Sequence, residues 1–101
     1  MTMTTALFAG TFDPYTIGHH ALVERALALF DTIVIAVGNN IGKHCLATAD
    51  ERVAAIERLY RGNNRVRVMM YDTLTMDLAR EVGATALLRG VRRVKAFEYV
   101  R

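Results

Sequence analysis

The run "TIVIAV", residues 32–37, is apolar or β-branched at every position. A strand with one wet face alternates, whereas a strand apolar throughout is covered on both faces, the mark of an internal strand in a parallel sheet. The segments on either side fit that reading. Upstream, "TTALFAG" is a second short apolar strand bounded by Gly10, and "HHALVERALALF" places Leu22, Val23, Ala26, Leu27 and Phe30 at helical spacing. Downstream, "GNNIGKH" is a loop rich in glycine and asparagine. Thr48 and Glu51 then make a capping-box pattern that opens a helix with Val53, Ile56, Leu59 and Tyr60 on one side and Gly62 at its end.

"RVRVMMY" alternates Val66, Val68 and Met70 against arginines and predicts a strand nearer an edge. A helix over 74–82 stops at Gly83, "ATALLRG" is a fourth strand, and "RRVKAFEYVR" starts a last helix. Strands alternating with helices predict an α/β fold, a Rossmann-like doubly wound parallel sheet with right-handed crossovers. Ligands of such sheets lie beyond the carboxyl ends of the strands.

The 101 residues, 52% of them hydrophobic, suit one domain over 1–101. The opening "MTMTTALFAG" is neither a signal peptide nor a membrane span, so a cytoplasmic protein without a membrane partner is expected. Cys45 is the only cysteine, which excludes an intrachain disulfide and a cysteine metal cluster. The net charge of +3 is uneven, because residues 89–101 carry +4 and the rest −1. Such a tail suits a small polyanion, while the body lacks the broad basic face and stacking aromatics of a nucleic-acid binder. The final helical pattern reaches Arg101 without a stop signal, so the domain is expected to be incomplete at its carboxyl end.

The loop after the first strand supplies Gly10, Thr11, Asp13, Thr16 and Gly18, a set able to turn sharply, cap a helix and offer N–H groups to an anion. His19 and His20 follow. Lys43 lies after the second strand, and Arg89 and Arg92 follow the fourth, so all are predicted on one rim. Arg89 ends an apolar strand, where a guanidinium without a partner is costly. The chain has no Walker loop, no G-x-G-x-x-G spacing, no G-x-S-x-G elbow and no H-E-x-x-H helix. Donors without a base or a covalent nucleophile suit phosphoryl or nucleotidyl transfer, where catalysis is positioning and neutralisation of developing charge.

"GTFDPYTIGHH" resembles the T-x-G-H nucleotidyltransferase signature. With "DERV" at 50–53, "LLRGVRRV" at 87–94 and "FEY" at 97–99, it is similar to bacterial phosphopantetheine adenylyltransferases along the whole chain. The resemblance implies transfer of AMP from ATP to 4′-phosphopantetheine, with Mg²⁺, giving dephospho-coenzyme A and pyrophosphate. It assigns catalysis to His19 and contact with both substrates to Thr11. Lys43, Thr75 and Arg89 fall on the phosphopantetheine side, and Phe12, His19, Gly90, Val91, Arg92 and Val100 on the ATP side. No residue is implied as a metal ligand, Asp13 serving to orient the loop. A homo-oligomer, a hexamer in the family, is also implied.

Three positions depart from the family: His20 where an aliphatic residue is usual, Cys45 for a proline, and Val100 where many members carry glutamate. The serine-rich ATP segment of the family falls beyond Arg101, so the chain is expected to bind better than it turns over. The rival readings are another T-x-G-H transferase and a non-catalytic module that binds phosphate ligands. His20 is expected to point away from the reaction and to be dispensable for it.

Overall fold

In the computed structural model, which describes residues 3–39 and 47–89, the apolar run is buried because strands pair along both of its edges and helices cover both of its faces. The elements follow as β1 (Thr5–Gly10), α1 (Ile17–Ala26), β2 (Thr32–Gly38), α2 (Ala49–Leu59), β3 (Val66–Tyr71), α3 (Thr75–Val82) and β4 (Ala86–Leu88). All pairings are parallel: β1 on β2 from Thr5↔Thr32 to Gly10↔Val37, β2 on β3 from Ile33↔Val66 to Gly38↔Tyr71, and β1 on β4 from Ala6↔Ala86 to Phe8↔Leu88. The order β3-β2-β1-β4 puts β3 at an edge, as the alternation of its sequence predicts. Lys43, Cys45, Gly90, Val91, Arg92, Val100 and the expected last helix lie outside the described residues.

Strand side chains alternate between two cores. Ala6, Phe8, Ile33, Ile35 and Val37 face Val23 and Ala26 of α1 and Ile56 of α2, whereas Leu7, Val34 and Ala36 face Leu78 and Ala79 of α3. Residues 33–37 are wholly excluded from water. Each valine or isoleucine so buried stabilises the fold by roughly 1.5–3 kcal/mol, which makes this strand the spine of the sheet.

Helix starts follow the predicted chemistry. Glu51 N–H donates to Thr48 Oγ1 (3.1 Å), and Thr48 N–H donates to Glu51 Oε1 (2.8 Å), closing the capping box of α2. The Thr48 N–H first, and then the Thr48 hydroxyl, hold the Glu51 carboxyl below its ordinary pKa by hydrogen bonding to it. Gly83 ends α3 with φ 70, a left-handed conformation that glycine adopts without a Cβ clash.

Two expectations need correction. Leu59 is exposed, because the buried line of α2 runs through Ala49, Arg52, Ile56 and Tyr60 and leaves residue 59 at its margin. The first helix ends at Ala26 and not at Phe30. The N–H groups of Ala28 and Leu29 reach back only three residues, to Arg25 and Ala26, tightening the chain into turns that leave Leu29 in water.

The order of the strands locates a crevice. From β1 the chain moves outward to β2 and β3 with α1 and α2 on one face; α3 then crosses the other face and delivers β4 to the far side of β1. The sheet therefore changes winding direction between β1 and β4, and a doubly wound sheet opens at the carboxyl ends of such a pair.

Candidate active site

A cavity of about 930 Å³ occupies that switch point. Its walls come from the end of β1 and the loop after it (residues 8–14), the start and one side of α1 (Thr16, Gly18, His19, Ala21, Leu22, Arg25), and Arg89 just past β4. The amino end of α1 thus faces the cavity, and the positive pole of a helix favours an anion there.

The T-x-G-H spacing has a local physical cause. Thr16 is the N-cap of α1 and His19 its third helical residue, so the imidazole takes the place that glutamate usually fills in a capping box. Thr16 N–H donates to Nδ1 of His19 (2.8 Å), and the Thr16 hydroxyl lies 3.1 Å from the same nitrogen. With Nδ1 accepting from the main chain, the neutral ring carries its proton on Nε2. The cap therefore selects, for the neutral ring, the tautomer with its N–H on the side away from Thr16.

Aromatic rings fix the imidazole plane. Tyr15 stacks on it (5.2 Å between centroids, 30°), and Phe12 meets it edge-on (5.0 Å, 89°). Phe12 is itself buried, with a left-handed φ of 51 that is uncommon outside glycine. Its ring folds back over Gly10, where an added Cβ would meet three ring atoms at 3.2–3.4 Å. Gly10 thus makes room for Phe12, and Phe12 for His19. Phe12 enters the cavity as wall.

His20 turns the other way. Its Nδ1 lies 2.8 Å from Tyr60 Oη, its Nε2 lies 3.4 Å from Glu24, and Tyr60 Oη lies 2.6 Å from Tyr15 Oη. A carboxylate can only accept, so with a neutral His20 ring the proton order runs from Tyr15 to Tyr60, from Tyr60 to His20 Nδ1, and from His20 Nε2 to Glu24. Burial first, and then donation to Tyr60, raise the Tyr15 hydroxyl far above its ordinary pKa. Burial also raises that of Tyr60, against the lowering effect of the bond it accepts from Tyr15. His20 belongs to a structural chain joining α1 to α2.

Thr11, Phe12, His19 and Arg89 therefore share one cavity, while Thr75 opens α3 outside its lining, with its hydroxyl 3.4 Å from Tyr71 Oη. Arg89 is exposed, so the desolvation cost expected of a buried guanidinium does not arise. Sequence reasoning missed Arg25, although Gly18, Ala21, Leu22 and Arg25 have the spacing of one helix face. It also gave no role to Arg52, a buried arginine that donates from Nε to the Ala47 carbonyl and from Nη1 to those of Thr11 and Gly38. The signal was its position in the buried line of α2. Among the described residues no group of three or more possible metal ligands occurs, and no helix is long and apolar enough to cross a membrane.

The sequence pattern of the cytidylyltransferase-like family matches residues 7–100. The phosphopantetheine adenylyltransferase of Bacteroides thetaiotaomicron is 48% identical over 97 residues, covering 96% of this chain and 64% of that protein. The enzyme of the same name from Porphyromonas gingivalis is 48% identical over 101 residues, covering 100% and 66%. The chain thus spans slightly less than two thirds of the length of these relatives. Among solved structures, the lipopolysaccharide core biosynthesis protein of Thermoplasma volcanium superposes with a TM-score of 0.68 at 22% identity, covering 85% of this chain and 73% of that one. NadR in complex with NAD and AMP-PNP superposes at 0.61 and 19%, covering 70% and 21%. At those identities the likeness is one of fold.

Proposed function

The chain belongs to the cytidylyltransferase-like family, and from that premise we propose that it transfers the adenylyl group of ATP to 4′-phosphopantetheine, releasing pyrophosphate and forming dephospho-coenzyme A in the cytoplasm. The names of relatives at 48% identity support the substrates. The observation that carries the chemistry is His19, held by the Thr16 N–H as an Nε2–H donor in a cavity at the switch point.

In this reading a phosphate oxygen of phosphopantetheine attacks the α-phosphorus of ATP in line. The bond to the β-phosphate oxygen breaks, and pyrophosphate leaves with the electron pair. The attacking phosphate is already anionic near neutral pH, so no base is needed. His19 Nε2–H donates to the α-phosphate oxygens as their charge grows, a contact stronger in the transition state than before it. Thr11 contacts the reacting phosphates of both substrates. Arg89, with Lys43, neutralises the acceptor phosphate, and Phe12, Gly90, Val91, Arg92 and Val100 border the nucleotide. Among the described residues Asp13 is the one carboxylate lining the cavity, a donor set that fits Mg²⁺ brought in on nucleotide phosphates and water. Magnesium would supply neutralisation of the polyphosphate charge.

Pyrophosphate release from ATP, Mg²⁺ and 4′-phosphopantetheine tests the reading, with His19→Ala as the control. Loss of one such donor is expected to lower kcat by about 10²-fold or more. Release by the wild-type chain that survives His19→Ala overturns the mechanism. No release, with phosphopantetheine still bound, assigns this chain binding without transfer.

A further inference from the structure

Arg52 is the one buried charged residue among the described residues, at 5% exposure. Its Nε donates to the Ala47 carbonyl (3.1 Å), and its Nη1 donates to the carbonyls of Gly38 (3.2 Å) and Thr11. These acceptors belong to three separate segments: the lead into α2, the end of β2 and the loop after β1. Among the described residues no carboxylate pairs with it. A guanidinium taken out of water with only carbonyl dipoles around it is a costly tether, and an apolar side chain of similar volume often stabilises as well or better. An apolar side chain cannot hold the Thr11 peptide. The planar fork of arginine can, because it directs several N–H groups at fixed angles toward acceptors on different segments.

What it holds is the cavity's critical turn. Thr11 lies between Gly10 and Phe12; the Phe12 ring covers Gly10 and sets one wall of the His19 imidazole. The Thr11 carbonyl points back to Arg52 while the residue lines the cavity. We propose that Arg52 is a positioning residue for nucleotidyl transfer, fixing the 10–13 turn from beneath so that Thr11 and the His19–Phe12 pair keep their places. The proposal rests on the transfer reading of the cavity for its consequence in rate, but its consequence for the turn stands apart from that reading.

Two readouts separate these. Backbone amide exchange is measured on the wild-type chain, Arg52→Met and Arg52→Lys, alongside pyrophosphate release. Arg52→Met removes all three bonds, and exchange across 10–16 is expected to quicken by about tenfold or more relative to the sheet interior at 33–37. kcat is expected to fall by about 10²-fold, the effect of a small misplacement of reacting groups, with the KM for ATP changing far less. Arg52→Lys keeps the charge but gathers its three donors on a single nitrogen that cannot span the three carbonyls; it should loosen the same segment and rescue little of kcat. It also decides the matter if Arg52→Met does not fold. Exchange that quickens equally in 10–16 and in 33–37 marks a merely structural residue and overturns the proposal, as does unchanged exchange in both. A wild-type chain without transfer refutes the proposed function, whereas the exchange pattern still decides whether Arg52 fixes the turn.

Discussion

The two ends of the sheet use the same device to different ends. At the amino end, Arg65 donates from Nε to the Asp31 carbonyl (3.0 Å) and from Nη2 to those of Phe30 (2.8 Å) and Leu27. At the carboxyl end, Arg52 likewise reaches three carbonyls. Arg65 is exposed and closes off turns whose polar groups are also satisfied by Thr4 and Asp31. Arg52 is buried, and one loop it grips carries residues that line a 930 Å³ cavity. Bonding the main chain is therefore not what distinguishes a functional end. The difference lies in what the gripped loops still present to solvent once their backbone is satisfied.

The largest test of that contrast lies at the amino end. Asp31 Oδ2 accepts from Thr4 N–H (2.8 Å) and from the Thr4 hydroxyl (3.3 Å), tying the start of β1 to that of β2. Asp31→Ala removes an ionised acceptor and should destabilise the fold by about 2 kcal/mol. In a domain of this size that lowers Tm by roughly 10 °C. Transfer measured well below the transition should not change. A parallel fall in kcat/KM would show that the two ends are coupled and would break the comparison.

Much of this contrast was legible in the sequence, and its limits have physical causes. The unbroken apolar run 32–37 identified a parallel strand covered on both faces, and helical periodicity placed α1 and α3 within a few residues. His19 stood out because Thr16 and Gly18 precede it in a loop after a strand. Arg52 did not, since charge is the usual sign of a solvated position and only three-dimensional packing shows that carbonyls surround it. Tyr60 was legible as a core residue but not as the partner of His20 and Tyr15, because that pairing spans 40 and 45 residues of sequence. Leu59 misled for a related reason: helical spacing gives a face, and the angle of packing decides where that face ends.

A smaller effect sharpens the comparison from the functional side. Gly10→Ala adds a methyl group 3.2–3.4 Å from three atoms of the buried Phe12 ring, which must shift by a few tenths of an ångström. The ring stands edge-on to His19, so the displacement should reach the donor. A loss of about tenfold in kcat, with a stability cost of about 1 kcal/mol, is expected from overpacking of this size. A loss of stability with full kcat would show that Phe12 yields away from His19 and that the imidazole keeps its place without that edge contact.

The smallest effect separates holding the site from working in it. Tyr15 stacks on His19 through its ring and binds Tyr60 through its hydroxyl, so Tyr15→Phe keeps the first contact and removes the second. The lost hydrogen bond should cost about 1 kcal/mol at neutral pH, with kcat nearly unchanged. Alkaline pH gives the sign. In the unfolded chain the hydroxyl ionises near its ordinary value of 10.0, whereas in the fold burial and the bond to Tyr60 keep it protonated far above that. Its contribution is therefore complete below pH 10 and is lost as pH rises further, because only the unfolded state releases the proton. Phenylalanine has no proton to release, so the gap between wild type and variant in urea midpoint should narrow above pH 10. Tyr60 is raised in the same direction and leaves part of the alkaline slope in both proteins. A gap that stays constant from pH 7 to pH 11 would mean that Tyr15 reaches solvent in the fold, and a large fall in kcat would make its hydroxyl part of the chemistry.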